Sequence, residues 1–343
     1  MKIGNYDTDE KVLIIAEIGN NHEGSYALAE EMIGLAAEAE VDAVKFQTIV
    51  PERLVTSRQT ERIARFKRFQ LTYQEFEKLA DVAANEKVLF LSTPFDIDSA
   101  QFLNDLVPAF KIASGDNNFF PLMEVIAQTG KPTILSTGFM DIADVKKSVD
   151  FIRNIWNKNN FDQELALLHC VSTYPTPPEQ ANLLAIKELQ NIVQTVGYSD
   201  HTLGIEAAVL SVALGARIIE KHFTIDKNYS DFLDHKLSAN PQEMKELVET
   251  VRAASEYLRS DSKILQEGEK KAIESTRRSI VAMNDLSAGT KISMDDLDWV
   301  RPGGGLSPGE EEKIVGKSLL KDKKRGDLIT LADIKNLLSK VDN

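Results

Sequence analysis

Residues 12–47 read VLIIAEIGNNHEGSYALAEEMIGLAAEAEVDAVKFQ and contain one complete unit of the predicted fold. The stretch opens on the apolar run VLIIA and closes on a second apolar run, AVKFQ. Between them lies YALAEEMIGLAAEAE, a pattern typical of an amphipathic helix. A continuous apolar run indicates a strand buried on both faces, so this order of strand, helix and strand predicts a parallel pair.

The same alternation continues along the chain to about residue 258. The remaining apolar runs are VLFLS (88–92), AFKI (109–112), TILS (133–136), LALLH (165–169), TVGYS (195–199) and IIEKH (218–222). Eight such units in about 250 residues are typical of a (β/α)₈ TIM barrel. A doubly wound open sheet is the competing fold, but the turn EIGNNHEG lacks its dinucleotide-binding glycine pattern. We therefore predict an α/β fold with a TIM-barrel catalytic domain over residues 1–258.

The end of the chain has a different composition. Residues 259–275 are highly charged and predict a linker. Residues 276–343 contain short β-like pieces and a weak internal repeat, in which DLSAGTKISMDDL (285–297) aligns with DKKRGDLITLADI (322–334). Two similar units of this size predict a small β-rich domain with internal pseudo-symmetry.

Composition limits the classes of function. The net charge of −13 argues against wide contact with nucleic acid, which requires a broad basic surface. No apolar run approaches the roughly 18 residues that suggest a membrane span. The amino terminus lacks the pattern of a signal peptide, and the single cysteine, Cys170, excludes an internal disulfide. We expect a cytoplasmic protein that contacts neither nucleic acid nor a membrane.

Reactive side chains gather where a barrel enzyme needs them. Active sites of TIM barrels lie at the carboxyl ends of the strands. The side chains at these predicted ends include Glu17, Lys45, Gln47, Lys111, Ser114, Ser199, His201 and His222. All five histidines fall at predicted strand ends or in the loops that follow, and none falls in a predicted helix. This distribution predicts an active site at that end of the barrel.

Two histidines end neighbouring strands. His201 and His222 can therefore converge on one point, and two imidazoles with open positions suit a divalent ion such as Mn²⁺. The alternative is that each is a half-buried histidine hydrogen-bonded to backbone. We favour the metal because the two lie side by side above the barrel.

Lysines and a cysteine allow further interpretations. Lys45 and Lys111 can bind phosphate or carboxylate, form a Schiff base, or pair with a barrel carboxylate such as Glu17. Glu17 itself can be a general base, a residue near the metal or a counter-ion. Cys170 follows His169, but adjacent residues of a strand face opposite ways, so we interpret Cys170 as structural and not as a nucleophile activated by His169.

Eight motifs in order resemble the sialic acid synthases, a family that includes the bacterial N-acetylneuraminate, legionaminate and pseudaminate synthases and their animal relative. They are IIAEIGNNHEGS, VKFQT, LSTPFD, KIASGDNN, ILSTGF, LLHC with YPTP, GYSDHT and EKHFT. The tail from Arg277, with SIVAMNDLSAGTKISMDDLDWVRPGGG, resembles the antifreeze-like SAF domain that ends these enzymes.

The resemblance implies a transferase that condenses phosphoenolpyruvate with an amino-sugar aldehyde and releases phosphate. It implies that His201 and His222 hold a divalent metal, usually Mn²⁺, with Mg²⁺ or Co²⁺ as alternatives. The implied catalytic residues are Glu17, Lys45, Lys111 and Asp116. The implied substrate-binding residues are Gln47, Ser114, Ser136, Ser172, Tyr174, Ser199, Asp234 and Arg301. The chain departs from the family by having Asp116 where glutamate is common and Ser172 where asparagine is common.

The resemblance also implies a homodimer in which each SAF domain caps the partner's active site. Arg301, in the turn WVRPGGG, would then complete the partner's sugar pocket. The stretch EIGNNHEG is closer to the neuraminate and legionaminate branches than to the pseudaminate branch. N-acetylmannosamine is the expected sugar, with a 2,4-diacetamido-trideoxy hexose as its alternative. Other metal-dependent barrel aldolases or synthases, and a non-catalytic carbohydrate-binding protein, are more remote alternatives.

Overall fold

Each of the eight apolar runs forms a strand of one parallel sheet in the computed structural model, which describes residues 1–334. A short hairpin precedes them. The first of two compact units, Met1–Arg259, contains the hairpin and the sheet. Its strands are β1 (Lys2–Ile3), β2 (Tyr6–Asp7), β3 (Leu13–Gly19), β4 (Ala43–Thr48), β5 (Leu89–Pro94), β6 (Phe110–Ile112), β7 (Thr133–Ser136), β8 (Leu165–Cys170), β9 (Thr195–Asp200) and β10 (Ile218–His222).

The order of these strands defines the fold. The sheet runs β5-β4-β3-β10-β9-β8-β7-β6, and its two outer strands, β5 and β6, lie next to each other. The eight strands therefore form a nearly closed barrel, and the predicted TIM-barrel fold is confirmed. The barrel belongs to a unit that ends at Arg259.

Helices follow the strands, as their sequence patterns predict. Helix α1 begins after Ser25, whose side chain accepts a hydrogen bond from the Leu28 amide, and α4 begins with a capping box between Thr72 and Glu75. The helices are α1 (Tyr26–Glu38), α2 (Pro51–Leu54), α3 (Thr60–Phe69), α4 (Tyr73–Asn85), α5 (Ile97–Leu103), α6 (Phe120–Gln128), α7 (Ile142–Asn159), α8 (Ala185–Leu189), α9 (Glu206–Ala213), α10 (Leu233–Leu237) and α11 (Pro241–Tyr257).

One histidine prediction is wrong. His235 lies in α10, although no histidine was expected in a helix. The helix has five residues, which is too short to show the apolar periodicity by which helices are recognised in sequence.

The apolar residues form two layers because successive side chains of a strand point to opposite faces. Ile14 and Ala16 pack outward, in the layer between the strands and the helices. Leu13 and Ile15 pack into the barrel interior. Met1 joins this inner layer from the amino-terminal hairpin, so the hairpin covers the end of the barrel that lies opposite the carboxyl ends of the strands.

The second unit begins at Ser260. The segment expected as a linker is largely exposed and contains one four-residue helix and the first three residues of a second. The elements of this unit are α12 (Glu267–Lys270), α13 (Ile273–Thr276), β11 (Ser279–Ala282) and β12 (Leu297–Val300). The strands pair antiparallel over a small apolar core that includes Ile280, Ile292 and Ile329. The last residues of the domain predicted over 276–343 lie outside the described residues.

The internal repeat appears as pseudo-symmetric hydrogen bonding. Gly289 donates to the carbonyl of Leu319 at 2.8 Å, and its repeat partner Gly326 donates to the carbonyl of Ala282, also at 2.8 Å. The glycines have φ of 87° and 86°, a conformation that side chains with a Cβ rarely adopt. The aligned glycines therefore form the same turn twice. Each repeat continues into a short 3₁₀ helix, Met294–Asp296 or Leu331–Asp333.

No helix in the described part of the chain is long and apolar enough to span a bilayer.

Candidate active site at the carboxyl end of the barrel

The inward-facing side chains of the barrel change from apolar to polar toward the carboxyl ends of the strands. In β3 the apolar Ile15 is followed two residues later by Glu17. In β10 the apolar Ile218 is followed at the same spacing by Glu220 and then His222. Residues two apart share one face of a strand, so the apolar floor and the polar groups above it come from one alternating pattern.

A cleft of about 580 Å³ opens above this floor. Its size lies within the roughly 300–1,000 Å³ of typical small-molecule sites. All predicted site residues except Asp116 and Arg301 line it: Glu17, Lys45, Gln47, Lys111, Ser114, Ser136, Ser172, Tyr174, Ser199, His201, His222 and Asp234. A larger groove of about 900 Å³ lies beside the amino-terminal hairpin and contains none of the predicted site residues.

Two predicted residues lie elsewhere. Asp116 follows β6 but is not part of the cleft lining, and its Oδ2 is buried without a hydrogen-bond partner. Burial raises the pKa of this carboxyl to about 6. Arg301 is exposed in the second unit, directly after β12.

The base of the cleft contains a buried cluster of two lysines and two glutamates. Lys45 Nζ lies 2.5 Å from Glu17 Oε2 and 3.7 Å from Glu220 Oε2. Lys111 Nζ lies 3.8 Å from Glu220 Oε1, which also accepts a hydrogen bond from Ser199 at 2.9 Å. Each lysine side chain is 3% exposed. The positive charge of Lys45 is therefore better compensated than that of Lys111, since only Lys45 has a carboxylate within hydrogen-bond distance.

The electrostatics of the cluster follow from this geometry. Burial would lower the pKa of Lys45, but Glu17 and Glu220 together raise it. Burial also lowers the pKa of Lys111, and the charge of Lys45 lowers it further, against the opposing effect of Glu220. For Glu220, the nearby Lys111 and Lys45 outweigh burial and hold the pKa at about 2. Burial raises the pKa of Glu17 despite its contact with Lys45.

The predicted histidine pair lies at the edge of this cluster. The ring centroids of His201 and His222 are 5.4 Å apart, and the ring of Tyr174 lies 4.2 Å from that of His201. His201 Nδ1 lies 2.8 Å from the carbonyl of Val171 and can donate to it, which leaves Nε2 as the ring nitrogen with a free lone pair. His222 Nδ1 is buried without a hydrogen-bond partner.

These two histidines fit a divalent ion with open coordination positions. Burial and the charges of His201 and Lys45 hold the pKa of His222 well below its ordinary value, so this imidazole is neutral, as a metal ligand must be. Within residues 1–334 no group of three or more histidine, cysteine, aspartate or glutamate side chains is arranged to hold a metal. A metal here would therefore take its remaining ligands from water and substrate.

The other three histidines do not line the cleft, and the single cysteine does. His169 Nε2 contacts the carbonyl of Ala181 at 2.8 Å, on the far side of β8 from the site. Cys170 is buried, as predicted, but it lines the cleft, and its Sγ lies 3.9 Å from His201 Nδ1 and 3.4 Å from Ser114 Oγ. The sequence pattern correctly predicted that Cys170 and His169 face opposite ways. It did not predict that Cys170 lies next to His201.

Sequence reasoning placed Glu220 at a predicted strand end but assigned it no role in the site. Its signal was present, because Glu220 lies two residues before His222 on one strand and must face the same way. It also missed Arg62, Arg65 and Phe66 of α3, which line the cleft from a helix that follows β4. No strand-end pattern points to a helix residue, so these three had no comparable signal.

A hydrogen-bonded chain joins two loops beside the cleft. Buried His235 contacts Glu23 Oε1 through Nε2 at 3.1 Å and Thr224 Oγ1 through Nδ1 at 2.6 Å. The hydroxyl of Ser230 also contacts Glu23. Because Asp234 precedes His235 in α10, these hydrogen bonds hold the segment that brings Asp234 to the cleft.

The barrel and its polar cleft define a protein of the TIM-barrel class with buried lysines, glutamates and histidines gathered at the carboxyl ends of its strands. The chain belongs to the NeuB family, whose sequence profile matches residues 32–263, and a SAF domain profile matches residues 277–335. The family predicted from the eight motifs and the SAF tail is confirmed, and with it the prediction of a transferase-type synthase.

Known proteins similar to this chain cover most of its length. An uncharacterized protein of Methanocaldococcus jannaschii is 43% identical over 95% of both chains. The N,N'-diacetyllegionaminic acid synthase of Campylobacter jejuni is 37% identical over 93% of this chain and 99% of its own. The crystal structure of an N-acetylneuraminic acid synthetase from Leptospira borgpetersenii superposes with a TM-score of 0.74 at 34% identity, covering 80% of this chain and 95% of that one.

Proposed function

We propose that this chain condenses phosphoenolpyruvate with the open-chain form of an amino sugar and releases phosphate. The named relatives differ in the sugar acid that they make, legionaminic in one and neuraminic in another. N-acetylmannosamine is the first candidate and a 2,4-diacetamido-trideoxy hexose the second. The reaction forms a bond between C3 of phosphoenolpyruvate and the aldehyde carbon; water adds at C2, and phosphate leaves by cleavage of its C–O bond.

The incompletely compensated Lys111 is the observation that supports this proposal most. A buried ammonium group with its nearest carboxylate 3.8 Å away is energetically unfavourable, and a bound anion would relieve this. Phosphoenolpyruvate supplies both a carboxylate and a phosphate. Lys45 can contribute to the same anion, although it is already paired with Glu17.

The remaining cleft residues suit the second substrate. Gln47 donates to Glu17 Oε1 at 2.9 Å and accepts from Asn20 at 2.8 Å, which fixes the carboxylate of Glu17 in one orientation. An oriented carboxylate with a raised pKa can accept or return a proton near the aldehyde. Asp234, which also lines the cleft, can accept hydrogen bonds from sugar hydroxyls.

We propose that His201 and His222 hold a divalent ion, with Mn²⁺ preferred over Mg²⁺ or Co²⁺. When bound, such an ion polarises the aldehyde oxygen as a Lewis acid. Chelation should abolish activity, and added Mn²⁺ should restore it in the wild type but not in His222→Ala. Full turnover in excess EDTA would contradict the metal role.

We also propose a homodimer in which Arg301 of one chain completes the sugar pocket of the other, and the support is the exposed position of Arg301 after β12. Arg301→Ala and His222→Ala subunits should each be inactive alone. Mixed with verified subunit exchange, they should recover part of the activity, since one site of the hybrid has both intact residues. Exchange without recovery would exclude the action of Arg301 across the dimer.

The direct test of the proposed reaction is a substrate panel. Phosphate release from phosphoenolpyruvate with Mn²⁺ should require an aldose, and the new acid should be identified by its mass. N-acetylmannosamine or its 2,4-diacetamido-trideoxy analogue should be used best. Absence of phosphate release with every aldose would refute the synthase and favour a carbohydrate-binding protein.

A further inference from the structure

A fully buried ion pair lies beside the two histidines proposed to hold the metal. Lys221 Nζ lies 2.8 Å from Asp200 Oδ2, and the two side chains are 1% and 0% exposed. Asp200 directly precedes His201 in the chain, and Lys221 directly precedes His222. The ion pair is therefore one residue away from each of the two proposed metal ligands.

The ion pair does not line the cleft. Successive residues of a strand point to opposite faces, and Glu220 and His222, on either side of Lys221, both face the cleft. Lys221 therefore points outward, into the apolar layer in which Ile219 packs. From there the ammonium group touches neither substrate nor metal, so its role in the site is one of positioning.

The strand ladder fixes the backbone of one histidine better than that of the other. His222 is the last residue of β10 and pairs with Glu17 of β3. The last pair between β9 and β10 is Asp200 with Lys221, and His201 lies beyond the end of β9. The backbone of His201 therefore requires contacts other than the ladder to hold it at a constant distance from β10.

Hydrogen bonds of the ion pair supply these contacts. Besides its bond to Asp200, Lys221 Nζ donates to the carbonyl of Thr202 at 2.6 Å. Asp200 Oδ1 accepts a hydrogen bond from the Thr202 amide at 2.8 Å. We call these three hydrogen bonds the Lys221 clamp. They bind the residues before and after His201 to one ammonium group of β10.

His201 also contacts the loop that follows β8. Its Nδ1 lies 2.8 Å from the carbonyl of Val171, and its own carbonyl accepts a hydrogen bond from the Thr176 amide at 2.8 Å. These contacts orient the imidazole, but they link it to β8. The Lys221 clamp supplies the link to β10, on which the separation of the two imidazoles depends.

The energetics of a buried ion pair favour positioning over stabilisation. Moving two opposite charges out of water costs about as much as their attraction returns, and well-packed apolar residues in their place are often neutral or stabilising. Apolar side chains at positions 200 and 221 could fill the outer layer of the barrel. They could not bind the amide and the carbonyl of Thr202, which the ion pair does.

We propose that Asp200 and Lys221 are positioning residues, which hold His201 at the separation from His222 that a divalent ion requires. The inference rests on the proposed function only in taking the two histidines as metal ligands. A site with two protein ligands binds a metal more tightly when both are held in place beforehand, because the chain then needs no ordering on binding.

Asp200→Asn tests the clamp, and Asp42→Asn is its matched control. The substitution at Asp200 keeps the size of the side chain but removes the charge that holds Lys221. The side chain of Asp42 is 6% exposed and likewise binds a basic side chain, that of Arg252, and one backbone amide, that of Ile14. Asp42 precedes β4, at the end of the barrel opposite the cleft.

Manganese binding is measured from the electron paramagnetic resonance signal of free Mn²⁺, without either substrate, and Tm is measured in parallel. Asp200→Asn should bind Mn²⁺ at least about tenfold more weakly than the wild type, in line with other residues that position metal ligands. Asp42→Asn should bind it within about twofold of the wild type. An equal loss of affinity in both variants would assign the effect to general destabilisation and overturn the inference.

The double variant Asp200→Leu/Lys221→Met separates positioning from stability. It removes both charges together and leaves neither one buried without its partner, so its Tm should stay close to that of the wild type. Its affinity for Mn²⁺ should nevertheless fall at least about tenfold. Wild-type affinity in the double variant, or failure of that variant to fold, would show that the ion pair does not act by positioning the histidines.

Metal binding and condensation are measured separately, so the inference and the proposed reaction can fail separately. If Mn²⁺ binding weakens as expected but no aldose is condensed, the clamp stands and the proposed reaction is refuted. If the wild type condenses an aldose but binds no Mn²⁺, the clamp is refuted and the reaction stands.

Discussion

At the scale of the residue, the two buried lysines differ in role, one structural and one in anion binding, because they have different partners. Lys45 is held by Glu17 at 2.5 Å, and removing one partner of a buried pair leaves an uncompensated charge. Lys111 lies 3.8 Å from its nearest carboxylate and donates a hydrogen bond to the backbone carbonyl of Ile112 at 3.2 Å. Structure depends more on Lys45, and anion binding depends more on Lys111.

Methionine substitutions should separate the effect on stability from the effect on anion binding. Lys45→Met should destabilise the fold by about 3–5 kcal/mol, the range measured when one member of a buried pair is removed. Lys111→Met should destabilise the fold by no more than about 1 kcal/mol, because Glu220 keeps Lys45 and Ser199 as partners, but should weaken phosphoenolpyruvate binding at least about tenfold. Urea unfolding and the KM for phosphoenolpyruvate measure the two effects. Equal destabilisation by both substitutions would contradict the assignment.

The lysines also allow a Schiff base, for which the lowered pKa of Lys111 would be suitable. We expect anion binding instead, so borohydride in the presence of both substrates should leave the mass of the protein unchanged. A reduced adduct on Lys45 or Lys111 would show that a Schiff base forms.

Asp116 predicts a pH effect on stability. Burial raises its pKa in the folded state to about 6, from about 4 in the unfolded chain, so the folded state favours the protonated form. This contribution to stability is complete below pH 4 and is lost as the pH rises through 6. Asp116→Asn should therefore raise Tm relative to the wild type at pH 8 more than at pH 4. An equal change in Tm at both pH values would exclude a buried titrating carboxyl.

At the scale of the element, loops that follow different strands are tied together beside the cleft. His235 in α10 links Thr224, which follows β10, to Glu23, which follows β3. These contacts fix the segment that carries Asp234. Helix α10 could not be predicted, because five residues cannot show a helical period, whereas the strand ends that carry Glu17, Lys45 and His222 were predictable from apolar runs.

His235→Ala should disturb the sugar side of the cleft selectively. It removes one hydrogen-bond partner from the Glu23 carboxylate and one from the Thr224 hydroxyl, which keep their contacts with Ser230 and with the Asp226 carbonyl, at a cost of about 0.5–1.5 kcal/mol per lost hydrogen bond. The KM for the aldose should rise through Asp234, while the KM for phosphoenolpyruvate should change little. His169→Ala, at another buried histidine outside the cleft, serves as the control for stability alone. An unchanged aldose KM in His235→Ala would show that the loop contacts do not position Asp234.

At the scale of the whole molecule, periodicity explains why the fold was predictable. Eight apolar runs give eight strands, and parallel pairing brings all their carboxyl ends to one rim, where most of the predicted residues meet. The same logic cannot place a residue that reaches the cleft from a helix, as Arg62 and Arg65 do. Nor can it show how far a turn residue such as Asp116 lies from the cleft, since turn conformation is set by local contacts.

The central claim is that the buried lysine cluster serves the condensation of phosphoenolpyruvate with an aldose. The most direct measurement uses phosphoenolpyruvate labelled with ¹⁸O at the oxygen that bridges C2 and phosphorus, followed by mass spectrometry of both products. The account predicts one new acid, with the mass of the aldose plus a pyruvate unit, and phosphate that carries the label. Absence of a new acid, or label retained on the carbon product, would contradict it.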